Sequence, residues 1–112
     1  MAIPAKVVEQ IHSRSGWMCE KCGTGSSLRW SIHHRKPRGM GGTRNKMIHS
    51  PANLLLLCGS GTEGCHGWVE VNRTIGYADG LLLHRNDDPT TVPVVLHYGT
   101  VLLDDEGGAQ TC

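Results

Sequence analysis

Val7, Val8 and Ile11 lie on one side of a helical projection and Lys6, Glu9 and Gln10 on the other, which predicts an amphipathic helix from about residue 4 to 14. Pro4 suits the first turn, where its missing N–H has no partner to lose, and Ser15-Gly16 suits the end. Leu28, Trp30 and Ile32 alternate with Arg29, Ser31 and His33, the period of a short strand with the apolar trio buried. Asn53-Leu54-Leu55-Leu56-Leu57-Cys58 is an apolar run of the length of a second buried strand. From His66 to about Ala78, the spacing of Trp68, Val69, Val71, Ile75 and Tyr77 fits a helix that Gly80 would close. Two strands, a loop and a helix make a ββα unit. Beyond it, residues 81–83 suggest a strand, and 94–98 with 101–103 a hairpin turning at Gly99-Thr100 and packed on that unit. The polar, glycine-containing residues 104–112 are expected to fray. The pattern gives one α+β domain in three parts: an N-terminal helix (1–16), a core (17–79) and a strand-containing tail (80–112).

Residues 35–50 carry Pro37, Gly39, Gly41, Gly42 and five basic side chains, a composition that predicts a loop between the strands. Composition adds a second constraint. A 112-residue chain with no Phe, three Trp and fifteen Gly has little bulky material for a core, so an extra staple such as a metal is expected. No apolar run approaches the roughly 20 residues that cross a bilayer, and Met1-Ala2-Ile3-Pro4 lacks the pattern of a secretory signal; a cytoplasmic location is therefore expected. In that compartment clustered cysteines are more often metal ligands than disulfides.

Four of the five cysteines form two pairs. Cys19 and Cys22 can turn both thiolates to one ion from a tight knuckle, and Cys58 and Cys65, joined by the Gly-rich 59–64 segment, can present a second pair. Four sulfurs in a tetrahedron suit zinc in a structural role, leaving Cys112 as the spare. A thiol redox protein fits less well, because the cysteines come as separated pairs without a thioredoxin-like βαβ context.

The formal net charge of +1 conceals a polarity along the chain. Residues 21–62 hold seven Lys or Arg and no acid, whereas residues 63–112 hold eight acids against Arg73 and Arg85. The basic stretch is a candidate contact for a polyanion, since it also carries His33 and His34. His12, His84 and His97 read as ordinary surface or core histidines, and His49 is less clear. His33 and His34, as neighbours at a strand end, can face different directions, and His66 is fixed by the adjoining Cys65.

Cys19-x-x-Cys22, His33-His34-Arg35-Lys36-Pro37, Gly41-Gly42, Asn53 through Cys58, and Cys65-His66 together resemble the HNH endonuclease family over roughly residues 17–75. The stretches 33–42 and 50–58 are similar to the small HNH proteins encoded by bacteriophages. The resemblance implies a ββα-metal (His-Me finger) core and hydrolysis of DNA, with products carrying a 5′-phosphate and a 3′-hydroxyl. It implies His34 as general base, His33 and His66 as ligands of a catalytic divalent ion (magnesium, manganese, nickel or zinc), and Asn53 as the tie of the loop between the strands. Glu70, one turn beyond His66, would support the ion or its water. Arg35, Lys36, Arg38, Arg44 and Lys46 would hold phosphates on either side of the cut, positioning DNA without reading its bases. Small HNH proteins act beside a phage terminase in genome packaging or as mobile endonucleases, so a terminase is a candidate partner. A non-catalytic zinc-ribbon adaptor would use the same cysteines and basic loop, but would not need His33, His34 and His66.

Overall fold

The computed structural model describes residues 3–37 and 46–112. Helix α1 (Ala5–Ser15) is followed by strand β1 (Trp30–His34), two short 3-10 turns (Lys46–His49 and Pro51–Asn53) and strand β2 (Leu54–Cys58). Helices α2 (Gly64–Val71) and α3 (Arg73–Ala78) come next, and strands β3 (Val94–Leu96), β4 (Gly99–Leu103) and β5 (Ala109–Thr111) complete the chain. The architecture is α+β, with two antiparallel sheets: β1 with β2, and β3-β4-β5 in chain order. None of the described helices is long and apolar enough to cross a membrane.

The all-apolar β2 sits at the centre, and the period of two in a strand divides its side chains between two clusters. Leu54 and Leu56 pack with Ile11 of α1, with Val7 and Ile32 at the margin. Leu55 and Leu57 turn the other way and join Val69 of α2 with Leu81, Leu82, Val94, Leu96, Val101 and Leu103. The tail is therefore part of the main core. Residues 81–83 are buried there without strand pairing. Residues 104–112, expected to fray, instead form β5 against β4. The Asp104 carboxylate accepts from the amides of Glu106 (2.9 Å) and Gly108 (2.7 Å), which closes the turn that feeds this strand.

The buried face of β1 also differs from the alternation of its apolar residues. His33 is 3 % exposed, whereas Leu28 is fully exposed and Trp30 partly so. Helix α2 packs over the Ser31 and His33 side of the hairpin, while α1 reaches only as far as Ile32, so polar side chains occupy the better covered face. The single helix expected over 66–78 is broken at Asn72, whose side chain donates to the Trp68 carbonyl (2.9 Å) and whose backbone leaves helical geometry.

Two buried arginines connect these parts. Arg14 forms a two-point ion pair with Glu20 (2.8 and 2.9 Å) and also donates to the carbonyls of Pro51 and Leu54. Glu20 in turn accepts from the Leu56 amide and the Tyr98 hydroxyl, so one carboxylate joins α1, the cysteine knuckle, β2 and the tail. Burial, reinforced by the Glu20 charge, pushes the Tyr98 phenol up to about 12.

Arg35 was expected among the phosphate contacts, and here the structure corrects the sequence reading: it is fully buried. Its guanidinium donates to the carbonyls of Gly80 (2.8 Å), Ala52 (2.8 Å), Pro89 (3.0 Å) and Val92 (2.8 Å). Burial, with the nearby Arg14 charge, lowers its pKa to about 10, so it remains a cation at neutral pH. Gly80, Pro89 and Val92 lie in the irregular stretch 79–93, and the five-donor fork satisfies their carbonyls from inside the core. Arg35→Met should cost at least about 3 kcal/mol in urea unfolding, because several buried carbonyls lose their donor at once. An effect within about 0.5 kcal/mol, the usual range for a surface change, would contradict this placement.

Candidate metal centres and histidine cleft

The sulfur atoms of Cys19, Cys22, Cys58 and Cys65 all lie within 4.8 Å of one another. Cys22 Sγ and Cys58 Sγ are 3.8 Å apart, and the edge of a tetrahedron with zinc–sulfur bonds of about 2.3 Å is also about 3.8 Å. Backbone amides donate to the cluster, from Cys22 to Cys19 Sγ (3.4 Å) and from Cys65 to Cys58 Sγ (3.5 Å), and so favour thiolates. The thiol of Cys19 is lowered because such amide contacts outweigh its burial. Burial and the Cys19 charge push the Cys65 thiol well up. The four residues could hold a structural metal ion such as zinc.

The turn between Cys58 and Cys65 is tight, and its glycines explain how the second pair closes. Gly59 and Gly64 have φ of 88° and 61°, and a Cβ on either would run into backbone across the turn. Ser60 and Glu63 pair across it. Cys65 is thereby placed in the first turn of α2, and His66 follows with its ring turned to β1.

His33 and His66 meet with ring centroids 5.1 Å apart, and with Glu70 they form a second group whose ligand atoms lie within 4.8 Å of each other. Their hydrogen bonds determine which nitrogens face inward. A carbonyl can only accept, so His33 Nε2–H donates to Leu81 O (2.7 Å) and Nδ1 keeps its lone pair. Ser31 Oγ donates its proton to Gly59 O (3.0 Å), so it accepts from His66 Nδ1–H (2.7 Å). That leaves His66 Nε2 as a bare nitrogen 3.9 Å from Glu70 Oε1. Two imidazoles, each with its N–H held by the protein, could act as a pair of metal ligands. Burial lowers His33 to about 4, against the opposing pull of the Leu81 carbonyl, and burial also lowers His66, opposed by Glu70.

These side chains line a cleft of about 310 Å³ that also includes His34, Pro37 and Arg73. His34 Nε2 lies 3.2 Å from His49 Nδ1, so one ring must donate to the other, and His49 orients His34. Asn53 is fully buried away from the cleft: it accepts from the Lys36 amide (2.8 Å) and donates to the carbonyls of Lys36 (3.2 Å) and Ile48 (2.9 Å). It ties together the two ends of the loop between the strands.

Among the expected phosphate contacts, Lys36 lines a different cavity, with Ser50, Asp87, Asp88 and Asp105. Arg38 and Arg44 fall outside the described residues, as does the side chain of Lys46. Two residues carried no signal specific enough for the sequence to assign them: His49, an isolated histidine in a loop that contacts His34, and Arg73 of the cleft, counted only as a base in the acidic half. The remaining histidines are accounted for by neighbours, His12 stacking on Trp17 (3.7 Å), His84 on Tyr77 (4.2 Å) and His97 meeting Tyr98 edge-on (5.1 Å).

No protein-family model matches the chain, and comparisons with curated proteins and with solved structures find no match. The functional reading rests on the geometry and on the sequence motifs.

Two measurements test this geometry. Purified protein should retain about one zinc per chain, and Cys58→Ser should lose it together with thermal stability. His33 is held well below the usual histidine value of about 6.5, so the unfolded chain binds the extra proton as pH falls. The stability it contributes should be complete above about pH 6.5 and decline as pH falls towards 4, by on the order of 3 kcal/mol. Urea unfolding of the wild type and His33→Asn across that range should show the slope flattened in the variant.

Proposed function

We propose that this chain is a metal-dependent HNH-type endonuclease that hydrolyses DNA phosphodiester bonds on a ββα-metal core, with little sequence preference. The observation that supports the reading most is the convergence of His33, His66 and Glu70 in one cleft, which His34 also lines. A module in which zinc served only to staple the fold would have no use for a second group of ligands beside the four cysteines.

In the proposed reaction His34, its ring oriented by His49, accepts a proton from water as the water oxygen attacks phosphorus. The P–O3′ bond breaks, and the departing 3′ oxygen takes up a proton from solvent, leaving a 5′-phosphate and a 3′-hydroxyl. His33, His66 and Glu70 would hold the divalent ion, and two imidazoles with one carboxylate suit manganese, nickel or zinc and tolerate magnesium. Such an ion, when bound, supplies positive charge against the oxygens of the pentacoordinate transition state. Asn53 contributes indirectly, by fixing where β1 leaves the sheet and hence where His34 points.

Incubation with supercoiled plasmid and added manganese should convert it to nicked circles, and His34→Ala should slow this by on the order of 10² or more while remaining folded. A folded His34→Ala protein with full activity removes that residue from its role. DNA binding without cleavage under every divalent ion would instead favour the zinc-ribbon adaptor. Mild chelation should stop cleavage before it melts the fold, because four thiolates hold their ion more tightly than an open three-ligand site does; loss of both at the same chelator dose would count against two distinct centres.

A further inference from the structure

We infer that Arg73 is the residue that grips the phosphodiester in the histidine cleft; the inference rests on the nuclease reading for the identity of the anion. Among the described residues that line the cleft, Arg73 has the one fixed positive charge. The alternatives nearest to His34 are used elsewhere. Arg35 is consumed by four carbonyls in the core, and Lys36 lines the separate cavity where its charge acts on Asp88.

The guanidinium is held in place at the N-terminus of α3. Nη2 donates to the Tyr77 hydroxyl (3.3 Å), and the guanidinium carbon sits 5.7 Å from the centre of the Tyr77 ring. Tyr77 is itself stacked flat on His84, with an interplanar angle of 4°, so the arginine rests on a braced aromatic support. Nη1 approaches Glu70 Oε2 at 3.7 Å, longer than the roughly 2.7–2.9 Å of a tight charge-assisted bond. The contact orients the guanidinium without closing its fork, and the side chain is 44 % exposed. A planar fork of this kind matches two phosphate oxygens at once.

Charge within the cleft gives a second reason. The Glu70 carboxylate faces both His66 and Arg73, and alone it would repel an anionic backbone. The ring nitrogens that His33 and His66 leave unbonded are lone pairs, not donors, and do not offset it. Arg73 does, as a cation within 3.7 Å of that carboxylate.

The experiment is binding of a fluorescein-labelled short DNA duplex, followed by anisotropy over a salt series without added divalent ion, alongside manganese titration by calorimetry. Arg73→Gln should weaken DNA binding roughly tenfold at low salt and make the slope of log affinity against log salt shallower by about one, leaving manganese affinity within about twofold. Arg73→Lys should keep the wild-type slope with intermediate affinity, since charge is retained and the fork is lost. Wild-type affinity and slope in Arg73→Gln would overturn the inference. So would a loss of DNA binding matched by an equal loss of manganese affinity, which would make Arg73 a support for Glu70. If the wild type never cleaves plasmid yet shows the Arg73-dependent slope, the phosphate site stands and the nuclease reading fails. Cleavage and DNA binding both unaffected by Arg73→Gln would leave the nuclease and remove the site.

Discussion

Four thiols whose sulfurs lie within 4.8 Å of one another join three stretches of chain: the knuckle after α1, the last residue of β2 and the first turn of α2. The histidine cleft depends on that junction. β1 pairs with β2 in a fixed register, Trp30 opposite Cys58 and His34 opposite Leu54, so fixing Cys58 also fixes the height of His33 on the sheet. Cys65 fixes the start of α2, and His66 is the next residue. The two imidazoles are thus located by short covalent paths from one cluster, and a shift of the cluster would displace both together. A structural ion there would act on the chemistry only through position, while its own coordination stays closed to substrate.

Around this junction the molecule makes unusual use of buried charge. A short chain without phenylalanine has little apolar bulk for holding irregular segments, and polar groups do the work instead. The Arg14–Glu20 pair carries hydrogen bonds to α1's neighbours, β2 and Tyr98, while Arg35 binds carbonyls from four separate positions. Burying such groups is costly unless every donor and acceptor is met, which makes these networks intolerant of partial replacement. They also impose a single arrangement on loops that apolar contacts alone would leave ambiguous.

This explains what the sequence could and could not disclose. The first helix, the two central strands, the hairpin and the cysteine quartet were legible, because each is written in local period or spacing. The proximity of His33, His66 and Glu70 was legible as an expectation through the HNH-like motif, and the coordinates bring those three residues together. The orientation of β1 was not, since alternation says which residues share a face but not which face a helix will cover. Arg35 illustrates the limit best. Beside Lys36 in a basic loop it reads as a surface contact, and only the distant carbonyls of residues 80, 89 and 92 reveal it as an internal clamp. Arg73 was hidden for the converse reason, lying in an acidic half of the chain that folding brings against the basic one.

The charge polarity along the chain has a consequence for the cleft. Among the described residues that line the cleft, the basic stretch supplies no lysine or arginine. Glu70 and Arg73 on the helical wall opposite β1 change this, placing a carboxylate for a cation and a cation for an anion within one side chain's reach of His66. In the proposed reaction a backbone phosphate drawn to both walls would be centred over the imidazoles. Alignment of this kind lowers the barrier by removing unproductive placements, not by tighter binding alone. The acidic C-terminal half thus contributes to the cleft through one basic residue whose nearest carboxylate also faces His66.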